Sequence, residues 1–258
     1  RYRCGKKRGH GAVNLHDALV QSCDVYFYTV GHRMGIDTLA SYAKKLGFGM
    51  PTGLGLSREK SGLVPSTKWK LKNRKEAWLL GETISASIGQ GYNLVTPLQQ
   101  ANMMAAVANG GMLLKPYLVK RIEEPGGKII KEFFPKIKGR ITGNPENMEI
   151  IRNALRDVVN GTRGTGKKSR LKDVVVSGKT GTVQVVRMKS NEELEKGEEI
   201  PYKYRDHAWF VAFAPYEKPE IAVAVLVEHG GHGGATAAPI AQKIFKKYFQ
   251  LYPPNPAA

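Results

Sequence analysis

Val174-Val175-Val176-Ser177-Gly178-Lys179-Thr180-Gly181-Thr182-Val183-Gln184-Val185 sets the reading of this chain. Three β-branched residues lead in and a second apolar run follows, which predicts a strand. Lys179 and Thr180 put a cation and a hydroxyl side by side on it. Gly178 and Gly181 lack a Cβ, so a second backbone can come close there. Such an edge suits an extended peptide that ends in a carboxylate. An ordinary strand with a lysine on its solvent face also fits Lys-Thr-Gly taken alone, so the surrounding chain has to decide.

Working outward, Ala208 to Ala214 and Ile221 to Val227 read as two further apolar strands joined by a short turn. Thr236 to Phe249 reads as a closing amphipathic helix with Ile240, Ile244, Phe245 and Tyr248 on one side. Lys189 to Asp206 is a polar loop without core pattern. Asn144 to Val159 is a helix ending at Gly161, and Tyr117 to Ile122 with Lys128 to Phe133 read as a hairpin. Thr96-Pro97-Leu98-Gln99 is a strong helix start: Thr caps, Pro fits the first position, and Gln can close a capping box. Residues 47–95 carry mainly turn signals and one Lys-rich stretch, Trp69 to Trp78. Asn14 caps a first helix, a second runs from Val25 to Met34, and Asp37 caps a third that Gly47 ends. Ser22-Cys23-Asp24 therefore falls at a helix–helix junction, where side chains can project into a cleft. The pattern predicts class α+β, an antiparallel sheet flanked by helices.

The 258 residues can bury a full core. Lys+Arg 40 less Asp+Glu 22 leaves a net charge of +18. The excess is scattered over Arg1–Arg8, Lys68–Lys75, Lys136–Arg140, Lys167–Lys172 and Lys243–Lys247, with no nucleic-acid module. General attraction to polyanions fits better than base readout, so no nucleic-acid partner is expected. Two cysteines are too few for a disulfide scaffold. No apolar run is long enough to span a membrane. The start at Arg1 predicts a fragment or a processed product.

Ser22-x-Asp24 and Lys179-Thr180-Gly181 resemble two elements of the penicillin-recognising serine acyltransferases, whose set is Ser-x-x-Lys, Ser-x-Asn and Lys-Thr-Gly. Ser87-Ile88-Gly89-Gln90-Gly91 before Thr96-Pro97-Leu98-Gln99 is similar to the class B penicillin-binding proteins. Ser22 to Tyr28, Gly89-Gln90-Gly91-Tyr92 and His207-Ala208-Trp209-Phe210 resemble the elongation-type branch of penicillin-binding protein 2. The resemblance runs from about Gly9 to the last helix. It implies the penicillin-binding/serine β-lactamase-like fold, incomplete at the N-terminus.

The acylated serine is the missing element. No serine precedes Ser22. Ser41-x-x-Lys44, Ser57-x-x-Lys60 and Ser169-x-x-Lys172 follow it, on a polar helix face and in polar turns. An attacking serine needs a buried base. Residues 1–258 are therefore expected to form the C-terminal portion of one transpeptidase domain, lacking the upstream nucleophile segment. The resemblance implies that Ser22 relays a proton, Asp24 replaces the usual Asn and holds the missing lysine, and Lys179 supplies positive potential. It further implies that Thr180, Gly181 and Thr182 bind the substrate carboxylate, with the Thr182 N–H in the oxyanion hole. Capping roles remain the alternative for Ser22 and Asp24 singly.

The implied activity is D,D-transpeptidation of peptidoglycan through an acyl-serine, blocked by β-lactams and needing no cofactor. Its partners would be stem peptides on lipid-linked precursors and cell-elongation membrane proteins. Its location would be the periplasmic side of a bacterial inner membrane. Two other readings are a non-catalytic β-lactam sensor and a basic polyanion-binding module. Cys4, His10 and Cys23 offer two thiols and an imidazole, good zinc ligands at irregular spacing. A disulfide, or unrelated thiols and a surface histidine, fits them too. The resemblance implies a structural zinc that pins the N-terminal loop, its fourth ligand a water or upstream of Arg1. Gly161 to Lys168 nearly spells a phosphate-binding loop, but Lys168 stands where Ser or Thr is required. His229-Gly-Gly-His232 reads as a mobile surface loop.

Overall fold

The computed structural model describes residues 2–6, 8–141, 143–185 and 200–254. The expected polar loop from Lys189 lies outside them as far as position 199. Helices α1 (Leu15–Gln21), α2 (Asp24–Met34), α3 (Ile36–Lys45), α4 (Thr67–Arg74), α5 (Leu80–Ala86) and α6 (Pro97–Ala108) come first. Short strands β1 (Met112–Lys115), β2 (Arg121–Glu123), β3 (Ile129–Glu132) and β4 (Lys136–Arg140) follow. Helix α7 (Pro145–Asn160) leads to β5 (Ser177–Val183), β6 (His207–Ala214) and β7 (Ile221–Val227), and α8 (Gly233–Leu251) closes the chain.

Strands β5, β6 and β7 form one antiparallel sheet in that order. Its core follows from the period-2 alternation of β6. Ala208, Phe210, Ala212 and Ala214 turn one way, into a cluster with Ala237, Ala238, Ala241 and Phe245 of α8. Phe213 turns the other way, against Met104, Val107 and Ala108 of α6 and Leu155 of α7. Helices thus cover both faces of a sheet whose central strand is apolar from Ala208 onward. Phe210, Phe213 and Phe245 are fully buried, each contributing roughly 2 kcal/mol through burial.

The local signals explain the ends of the elements. Asn14 accepts from the Asp17 N–H at the start of α1, and the Thr96/Gln99 capping box closes the start of α6. Other elements differ from expectation. Asp37 lies inside α3 and accepts instead from the backbone and hydroxyl of Thr67. The valines before Ser177 are not part of β5. In α8 the buried stripe is made of alanines with Phe245 and Phe249, while Ile240 and Ile244 stay exposed. The start of the helix lies too close to the sheet for any side chain: a Cβ at Gly233 would sit 2.2 Å from the Trp209 carbonyl and 2.4 Å from that of Gly181. Helices α4 and α5 escape an apolar pattern because their anchor is charged. Lys70 is 2% exposed and its ammonium meets Glu82 at 2.6 Å and Glu76 at 3.4 Å. The 229–232 segment is held rather than loose, with the His229 N–H donating to His207 Nδ1 at 2.9 Å.

Close packing predicts one sharp stability effect. A Cβ at Gly178 would lie 2.7 Å from Ala212 Cβ, Phe210 Cζ and the Val211 carbonyl. Gly178→Ala should destabilise the fold by about 1–3 kcal/mol, read as a lower midpoint in urea denaturation.

Candidate active site

Ser22 caps the C-terminus of α1 in the left-handed region, at φ 55, with its N–H on the Ala18 and Leu19 carbonyls. A non-glycine residue there carries strain, which marks positions where the side chain matters. Cys23 is the N-cap of α2 and Asp24 its first residue, so the Asp24 carboxylate sits at the favourable end of a helix. Two polar links fasten α1 to α7 and the turn after it. His16 Nε2 lies 3.1 Å from Asp157 Oδ2, and Arg163 donates to Asp17 at 3.0 Å. Helix α7 packs on β5 in turn. The helix junction is thereby carried to the Lys-Thr-Gly strand.

There Lys179 Nζ donates to Ser22 Oγ at 3.0 Å and to the Thr180 carbonyl at 3.1 Å. Burial pushes the Lys179 ammonium down to about 8, and the Asp24 carboxylate pulls the other way. An ammonium that titrates there can hold or release a proton near neutral pH, and its hydrogen bond to Ser22 is a path such a proton could take. Strand β5 grades from buried Ser177 and Gly178 to half-buried Lys179–Val183, so its functional end opens toward solvent. Gly181 pairs with Trp209 and lets α8 approach, as its carbonyl faces Gly233.

Two side chains that sequence reasoning gave no role also reach this strand. Gln90 Nε2 donates to the Thr182 carbonyl at 3.1 Å. Its segment is seated on α2 by Gly31, where a Cβ would lie 2.3 Å from Ser87 Cβ. Thr165 Oγ1 lies 2.8 Å from Thr180 Oγ1. The glycines beside both residues were the available signal.

The three Ser-x-x-Lys segments are not brought to this place as a base-paired serine. Ser41 is exposed on α3 and Ser57 in a turn. Ser169, expected in a polar turn, is fully buried and donates to the Gly166 carbonyl. Cys4, His10 and Cys23 do converge: one ligand atom from each lies within 4.8 Å of the others. Cys4 Sγ is 3.3 Å from His10 Nδ1, and burial pushes the Cys23 thiol up. A cleft of ≈ 420 Å³ opens beside them, and the Gly5 N–H donates to Asp24 at 3.3 Å.

Comparison with known proteins agrees with this geometry. The family model described as the penicillin binding protein transpeptidase domain matches residues 3–246, and the chain belongs to that family. Peptidoglycan D,D-transpeptidase MrdA of Haemophilus influenzae is 39% identical over 254 residues, which are 96% of this chain and 38% of that protein. Pseudomonas aeruginosa PBP2, solved with WCK 5153, superposes with a TM-score of 0.81 at 36% identity, covering 96% of this chain and 50% of that one. Helicobacter pylori PBP2, solved in complex with MreC, gives a TM-score of 0.81 at 34% identity, covering 97% and 43%. The chain thus spans half or less of the length of these relatives.

NMR of labelled lysine side chains should find the Lys179 ammonium titrating near pH 8. Asp24→Asn should move that midpoint lower, because the carboxylate favours the charged form. A Lys179 midpoint in the ordinary lysine range, about 10.4, would contradict the enclosed ammonium.

Proposed function

We propose that this chain is the C-terminal portion of a transpeptidase domain that cross-links peptidoglycan stem peptides through an acyl-serine. The observation that carries this reading is the contact of Lys179 with Ser22 at 3.0 Å, beside Asp24. The acylated serine and its lysine come from a segment outside residues 1–258, since no serine precedes Ser22. That serine attacks the penultimate D-Ala carbonyl, and the terminal D-Ala leaves as an amine that takes up a proton. Ser22 is the last donor in that transfer, and Lys179 keeps its hydroxyl oriented and supplied. The hydroxyls of Thr180 and Thr182 hold the terminal carboxylate, Gly181 lets the peptide backbone approach, and the Thr182 N–H faces the developing oxyanion. Asp24, as a carboxylate, accepts from the incoming lysine and substrate groups but cannot donate. β-Lactams carry a carboxylate beside a reactive carbonyl and would occupy the same places.

The relatives' names, a peptidoglycan D,D-transpeptidase and a PBP2 in complex with MreC, support peptidoglycan as substrate and a protein partner; the finer assignments follow from the proposal. The substrate is a stem peptide on a lipid-linked precursor. The domain works on the periplasmic side of a bacterial inner membrane, with membrane proteins of cell elongation as partners. Among the described residues no helix is long and apolar enough to cross a membrane. Catalysis needs no metal. Cys4, His10 and Cys23 present a sulfur–nitrogen–sulfur set that fits zinc. A zinc held there would be structural, fastening the N-terminal loop to the start of α2.

Intact mass after labelling with a fluorescent penicillin tests the function. The label should appear on a species that carries the upstream segment, attached to it or separate from this chain. Label on residues 1–258 would overturn the assignment of the serine. A complete domain that takes no label would overturn the transpeptidase reading. For the metal, Cys4→Ser should lower the melting temperature in zinc and the zinc content by emission spectroscopy. Unchanged zinc content would refute the site.

A further inference from the structure

Thr165 lies in the turn after α7, inside the Gly161–Lys168 segment whose likeness to a phosphate-binding loop has no use in the reading above. The turn is built tightly. The Gly166 N–H returns to the Val158 carbonyl at 2.9 Å. A Cβ at Gly164 would lie 2.2 Å from that same carbonyl oxygen. On the other side, a Cβ at Gly234 of α8 would lie 2.5 Å from the Thr165 carbonyl. Thr165 is therefore clasped between α7 and the first turn of α8, and its backbone has little room to move. Two of the segment's cations are engaged elsewhere: Arg163 donates to Asp17 and Lys167 to the Thr162 carbonyl. What the turn sends to β5 is the Thr165 hydroxyl, 2.8 Å from the Thr180 hydroxyl.

We infer that Thr165 is a positioning residue for the substrate carboxylate, acting through the hydroxyl of Thr180. This rests on the reading of Thr180 as a carboxylate-binding residue. One proton lies between the two oxygens, and each hydroxyl has a single proton to give. A carboxylate accepts and cannot donate, so it draws the Thr180 proton outward. Thr180 can then still accept, and Thr165 is the donor within reach. A rotating hydroxyl is thus replaced by one already aimed at the ligand, so less orientation has to be lost on binding. The benefit applies to ligands with a free carboxylate and vanishes when that group is esterified.

The test is the acylation rate of the complete protein by a β-lactam acid and by its methyl ester. In the wild type the acid should react far faster than the ester. In Thr165→Val the acid-to-ester ratio should fall about tenfold, the size expected when support for a hydrogen bond to a charged group is lost. Thr165→Ser, which keeps the hydroxyl, should restore the ratio. Thr165→Ala is read in parallel, so that misfolding of the valine variant leaves the comparison intact. A ratio unchanged in the valine and alanine variants would overturn the inference. So would an equal loss for acid and ester, which marks a merely structural role. A wild type that acylates without preferring the acid would instead refute the carboxylate site itself, before any variant is read.

Discussion

The hydrogen bond from Lys179 to Ser22 joins residues 157 positions apart, and the site exists only while those two segments meet. Neither partner makes the contact favourable alone. Lys179 loses solvation on burial, which works against its charge. Ser22 sits in a backbone conformation that costs free energy for any residue with a Cβ. Both penalties are carried by packing some distance away. The sheet fixes Lys179 opposite Val211. The junction of α1 and α2 is fixed through His16 on Asp157 and Asp17 on Arg163. Strain and desolvation gathered at one point, with support from rigid elements around it, are the usual condition of a reactive centre.

Close approach of backbones is the second constraint, and glycine is how the chain meets it. Gly178 admits Phe210 and Ala212, Gly233 admits the Trp209 and Gly181 carbonyls, and Gly164 and Gly234 clasp Thr165. A side chain at any of these points would push β5, α8 or the turn after α7 outward by more than ordinary contacts tolerate. The alanine stripe of α8 continues the same logic over Ala237, Ala238 and Ala241. The geometry that presents Lys179 and Thr180 is therefore set largely by where side chains are absent.

Much of this was legible in the sequence, because strong local rules govern the relevant pieces. The Asn14 and Thr96 caps, the β6 and β7 apolar runs and the junction at Ser22–Asp24 were placed from residue type and spacing alone. Helices α4 and α5 were not, since a buried Lys70 bound to Glu82 carries no apolar period. The inner face of α8 was assigned to Ile240, Ile244, Phe245 and Tyr248; Phe245 and Tyr248 do pack on the core, while alanines take the place of the two isoleucines. At Ala237, Ala238 and Ala241 size as well as hydrophobicity decided the face, and sequence periodicity weighs only hydrophobicity. Of the site, Ser22, Asp24 and Lys179 were found through ordered motifs. Thr165 and Gln90 reach β5 through tertiary contacts, and their flanking glycines mark tight turns without naming the strand they meet. Cys4, His10 and Cys23 show the reverse case: irregular spacing argued weakly, and folding brought them together.

Strand β5 stands at the edge of its sheet among the described residues, and a bare edge is a liability. The carbonyls of Thr180 and Thr182 are two residues apart and so leave the strand on one side. Both have side-chain partners here: Lys179 on the first and Gln90 on the second. Unpaired acceptors, which would recruit any extended chain, are thus satisfied one by one. A cation set into the edge adds repulsion toward other basic surfaces, and this chain carries a net charge of +18. A peptide ending in a carboxylate meets no such repulsion, because its charge is the one the edge lacks. On the proposed reading, the strand that would receive that ligand is also one whose Thr180 and Thr182 carbonyls already have partners.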